Sequence, residues 1–105
     1  MPPTEVPTRA IVELAVGVKN ADGSVNRIAE VRAVTAADEL HIGMSPQYNQ
    51  HPNDLVYKLL LVCRCVTRLG DREALMLSDI QALDAQDFRA LEAAIYTLTY
   101  GDSEV

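Results

Sequence analysis

The chain has 105 residues, 49% of them apolar, and a formal net charge of −6, which suits one small domain with a modest core. With no tryptophan and one phenylalanine, that core must rest on Leu, Val, Ile and Ala. No apolar run approaches the roughly 20 residues that span a bilayer, and the N-terminal Met1-Pro2-Pro3-Thr4-Glu5-Val6-Pro7 lacks the basic-then-apolar order of a signal peptide. Both point to a cytoplasmic protein. Because proline disfavours helix and ladder pairing, residues 1–9 read as a flexible tail. They precede a single domain over residues 10–100 and a short C-terminal tail over residues 101–105.

Two apolar runs, 10–18 and 25–34, meet at Asn20-Ala21-Asp22-Gly23-Ser24. Asp-Gly between alternating runs is a strong hairpin signal. A two-residue Asp22-Gly23 turn would place Leu14 opposite Val31, Val16 opposite Ala29 and Val12 opposite Ala33. Glu13 would then face Arg32 on the other side, giving one apolar face and one opposite-charge pair. A two-stranded hairpin is marginal alone, so helices must cover it. The expected fold is α+β, a two-stranded antiparallel hairpin packed on three to four helices.

Thr35 and Asp38 mark a short helix start, with Asp38 favoured by the helix dipole, and Gly43 can end that helix. Residues 43–53 read as a polar loop, long for a domain of this size and expected to be mobile. A longer helix is predicted from Asp54 to Leu69, closed by Gly70. Its apolar face carries Leu55, Leu59, Val62, Cys63, Val66 and Leu69, with Leu59, Val62 and Val66 as core positions. Ser78 and Gln81 suggest a capping box for a short helical turn. Asp84 would cap the last helix, with Leu83 and Phe88 as a hydrophobic staple and Phe88, Leu91, Ile95 and Leu98 facing inward.

Residues 1–70 balance seven acids with seven bases, while residues 71–105 hold eight acids against Arg72 and Arg89. An acidic surface repels phosphate backbones, so no nucleic-acid partner is expected. Cys63 and Cys65 are two apart on a helix and point in different directions, so neither a shared metal nor a disulfide is expected. A buried Cys63 and a partly exposed, reduced Cys65 is the plain expectation. His41 and His51 have no acidic or cysteine partner at ligand spacing, and no nucleophile elbow or phosphate loop occurs. Capping explains Asp38, Asp79, Asp84 and Asp87. The reading is of a protein without enzymatic activity or cofactor.

What remains is surface. Tyr57, Leu61 and Cys65 fall on the expected polar side of the long helix, fringed by Arg64 and Arg68. Tyr96 and Tyr100 flank Arg89 on the last helix. Two such stripes suggest burial against a partner, against each other or in a homo-oligomer.

A hairpin turning at Asp22-Gly23 is followed by Arg32 with Thr35 and Asp38, then by Leu69-Gly70. Leu77-Ser78-Asp79-Ile80 and Asp84 with Asp87-Phe88 come after it. Over residues 10–98 this pattern resembles the small tail assembly chaperones of long-tailed phages, the Mu-like and P2-like tail assembly proteins. The chain departs from the family at Val34, where a proline is common, and in a longer 45–53 loop. The resemblance implies a chaperone from a phage or prophage, acting in the host cytoplasm. It would bind the long helical tape measure protein and keep it soluble until tube subunits polymerise around it. Two other readings are a small tail or head completion protein retained in the particle, and a general bacterial protein-binding adaptor. The proposed partner-binding residues are Tyr57, Leu61, Cys65, Arg64, Arg68, Arg89, Tyr96 and Tyr100.

Overall fold

A computed structural model describes residues 8–101, and the expectations for residues 1–7 and 102–105 lie outside them. The fold is α+β. In chain order the elements are β1 (Arg9–Lys19), β2 (Val25–Arg32), α1 (Ala36–Gly43), α2 (Pro46–Gln50), α3 (Asp54–Cys65), β3 (Val66–Leu69), α4 (Leu77–Gln81) and α5 (Ala85–Tyr100). The strands form an antiparallel sheet in the order β1-β2-β3. One face of it carries the helices. The core joins Val12, Leu14, Ala29 and Val31 of the hairpin to Val62, Cys65, Leu91 and Ile95.

The hairpin forms as the alternation requires, but its register differs. Near the turn Lys19 pairs with Val25 and Val18 with Asn26, whereas farther out Glu13 pairs with Ile28, Val12 with Ala29 and Arg9 with Arg32. The partner sums, 44 and 41, show three extra β1 residues bulged out between Glu13 and Val18. Gly23 donates to the Asn20 carbonyl and Asn20 to the Ser24 carbonyl, and Gly23 has φ 89°. This is a three-residue loop closed by a left-handed glycine rather than a two-residue turn. Val12 and Leu14 still face inward because the outer sum of 41 differs from the expected sum of 45 by an even number. Val16 lies in the bulge and is exposed, and Glu13 does not meet Arg32. Thr8 and Arg9, expected in the tail, join the sheet: the Thr8 carbonyl accepts from Ala33 N–H at 3.0 Å.

The bulge is held from a distant element. Asp87, fully buried on α5, accepts the backbone N–H groups of Ala15 at 2.8 Å, Val16 at 3.2 Å and Gly17 at 2.8 Å. Gly17 adopts φ 90°, and a Cβ there would lie 2.8 Å from the Asn26 carbonyl oxygen, so the bulge needs glycine. Asp84 is the N-cap of α5, accepting from Gln86 N–H at 2.8 Å. Asp87 serves the sheet instead of only the helix dipole.

The long helix ends four residues early, and Val66–Leu69 continue as β3. The β-branched pair Val66-Thr67 suits a strand, and Thr67 Oγ1 donates to Glu30 Oε1 at 2.7 Å. The buried residues of α3 are Val62 and Cys65, whereas Leu59 is half-buried and Leu55 exposed. Cys63 is therefore the partly exposed thiol and Cys65 the buried one, the reverse of the expectation. Within residues 43–53, α2 replaces a plain loop, with Pro46 at its first position after Ser45. The N-cap of α4 is Met76, two residues earlier than expected, with its N–H donating to Asp79 at 2.8 Å.

Candidate protein-docking groove

Helices α3 and α5 pack against each other, and the apolar stripes of both face the gap between them. Tyr57 and Leu61 come from α3, one turn apart, and Tyr96 and Tyr100 come from α5, also one turn apart. All four line one groove of about 200 Å³, floored by Val62 and Ile95 and flanked by Val34. The sequence places these side chains on two separate stripes, and the packing merges them.

The aromatic wall is ordered by ring contacts. Tyr96 and Tyr100 stack at a tilt with centroids 4.7 Å apart, and Tyr57 meets Tyr48 of α2 edge-on at 6.1 Å. Tyr57 and Leu61 are half-buried, whereas Tyr96 and Tyr100 are 58% and 63% exposed. Burial, and next the negative charge of Glu39, raise the Tyr57 phenol above its usual pKa. The rim carries Glu39, Lys58 and Glu92. Lys58 Nζ lies 3.4 Å from Glu92 Oε2, and Arg89 Nη1 donates to Glu92 Oε1 at 2.9 Å. Glu39 forms no ion pair among the described residues.

The remaining expected docking residues lie elsewhere. Cys65 is fully buried, and burial pushes its thiol up to about 11, so it can neither touch a partner nor react readily. Arg64 is taken up internally: its Nε donates to Asp38 Oδ1 at 2.8 Å. Arg32 forks onto the same carboxylate with two bonds of 2.8 Å, and also donates to the Arg64 carbonyl at 3.1 Å. Arg68 is exposed on β3, with its Nε on the Gly70 carbonyl. Arg89 lies beside the groove, acting on it through Glu92, with its guanidinium 5.5 Å from the Phe88 ring centre.

The Asp38 cluster positions the groove. Asp38 is buried, and the Arg32 guanidinium foremost holds its carboxyl far below the usual carboxylate range. Its Oδ2 also accepts the Thr35 N–H at 2.8 Å, so one carboxylate joins β2, the start of α1 and the end of α3. That junction sets Glu39, the next residue, at the groove rim. The signal for it was an aspartate three residues after a threonine cap with arginines on two flanking elements, although the pairing itself is tertiary.

Among the described residues, no group of three or more His, Cys, Asp or Glu side chains could hold a metal ion, and no helix is long and apolar enough to cross a membrane. Comparisons with protein-family models, with curated proteins and with solved structures find no match.

Proposed function

We propose that this protein is a non-enzymatic tail assembly chaperone whose α3–α5 groove receives an amphipathic helix of the tape measure protein. The observation that supports this reading is the convergence of Tyr57, Leu61, Tyr96 and Tyr100 on one groove. A helix docked in a groove inserts side chains spaced three or four residues apart, and the tyrosine pairs repeat at one helical turn. Tyrosines offer large contact area with little rotamer freedom to lose. Glu39, the rim carboxylate with no ion pair among the described residues, favours a helix with a lysine or arginine beside its apolar stripe at that end. The resemblance to tail assembly chaperones supplies the identity of the partner.

The test is co-expression with a tape measure protein, the partner that this reading names. Tyr96→Ala combined with Tyr100→Ala removes the two most exposed rings and should leave the fold intact. Loss of a hot-spot residue weakens binding by about 2 kcal/mol or more, so the partner should move to the insoluble fraction. A normally folded double variant that still keeps the partner soluble overturns the groove as the site.

A further inference from the structure

One edge of β1 is unpaired among the described residues. Because β2 lies on one side of β1 only, β1 is an edge strand. The Thr8–Ala33 bond fixes the alternation: the N–H and C=O groups of Thr8, Ala10 and Val12 face β2, and those of Arg9, Ile11 and Glu13 face outward. The same edge is closed farther along, where the Asp87 carboxylate takes the N–H groups of Ala15, Val16 and Gly17. Among the described residues the open ladder of β1 therefore runs over Arg9–Glu13, with Ile11 at its centre.

We propose that a second copy of this chain pairs with this edge, β1 against β1 antiparallel, about a two-fold axis through Ile11. Only this register fits the open segment symmetrically. It sets Ile11 against its own copy and Arg9 against Glu13 of the other chain, twice. All three side chains are exposed on the outer face of the sheet, Ile11 at 63%. Arg9 spends one nitrogen on Glu30 at 2.9 Å and keeps further donors in its fork. Glu13 forms no ion pair among the described residues. Edge strands guarded against pairing carry charges that repel a second copy. Here the charges flanking the isoleucine are of opposite sign, so they attract one. The pairing adds about six ladder hydrogen bonds and extends the sheet to six strands. Ile28, exposed and paired with Glu13, continues the apolar strip on each side of the axis.

Two single variants test the register. Glu13→Arg and Arg9→Glu each turn both cross-axis pairs into like-charge pairs, so each alone should weaken self-association at least about tenfold. Mixed together, they restore two opposite-charge pairs, and the heterodimer should form. Native mass spectrometry and sedimentation across the micromolar range read both, with thermal midpoints checking the folds. Should Arg9→Glu fail to fold, Ile11→Lys, which sets two ammonium groups on the axis, should also give monomers. A wild-type chain that stays monomeric leaves the edge to another protein's strand or to solvent and overturns the proposal. So does undiminished association of Glu13→Arg, or two monomeric variants that ignore each other. The groove variants play no part in this test, so its failure is separate from failure of the groove.

Discussion

Asp38 and Asp87 occupy the same position, the third residue of a helix, and both are fully buried. Their partners differ. Asp38 is neutralised by two guanidinium groups whose side chains remain 26% and 32% exposed. Asp87 is hydrogen-bonded by three backbone N–H groups of a bulged strand. A side chain that loses its partner can swing toward water, whereas a backbone N–H held in a bulge cannot. Of two equally buried carboxylates, the one bound to main chain should therefore matter more.

The largest effect is expected at Asp87. Asp87→Ala orphans three donors in one step and should cost about 3–4 kcal/mol of unfolding free energy, read by denaturant titration. Asp87→Asn keeps one carbonyl acceptor and should recover part of that. Amide exchange at Ala15, Val16 and Gly17 should accelerate more than at Val12. If Asp87→Ala cost no more than a surface substitution, the bulge would be held by its turn and not by α5.

The same contrast explains what could be read in advance. The hairpin, the inward parity of Val12, Leu14, Ala29 and Val31, and the inward face of α5 all follow from local alternation or helical period. Register did not, because the bulge depends on a carboxylate 70 residues away, although Gly17 inside a strand was a signal for it. The helix extended through Leu69 failed for a related reason. Val66 and Leu69 fit the helical period, and only the open edge of β2 converts them to a strand. Ser45-Pro46 carried the start of α2 locally and could have been used. The groove was legible as four side chains on two helices but not as one site, since the angle of α3 to α5 is a tertiary property.

Asp38 is next in size and adds a pH dependence. Asp38→Asn breaks the two arginine pairs. Complete burial would argue for about 3–5 kcal/mol, but the partly exposed guanidiniums reduce the expectation to about 2 kcal/mol. The folded-state pKa of Asp38 is lowered, so the unfolded chain takes up its proton first. The stabilisation is thus fully present above the unfolded value near about 3.9 and declines as pH falls below it toward the folded value. Stability of the wild type should therefore drop more steeply in acid than that of Asp38→Asn. Parallel acid slopes for the two proteins would remove the charge from the explanation and leave only shape.

Asp79 supplies the smallest effect and the sharpest form of the comparison. It too is the third residue of its helix and takes the N-cap N–H, that of Met76, at 2.8 Å. Its other oxygen pairs with Arg72, which is 59% exposed. Here the helix position is retained, burial is less complete, with the Asp79 side chain 15% exposed, and no backbone group of a distant element is bound. An exposed ion pair contributes about 1 kcal/mol or less, and an asparagine oxygen can still accept the Met76 N–H. Asp79→Asn should therefore cost less than about 1 kcal/mol, and added salt should shrink the difference from wild type. A loss comparable to that of Asp87→Ala would mean that the helix position itself carries the stabilisation. A small, salt-sensitive loss assigns it to what each carboxylate reaches beyond its own helix.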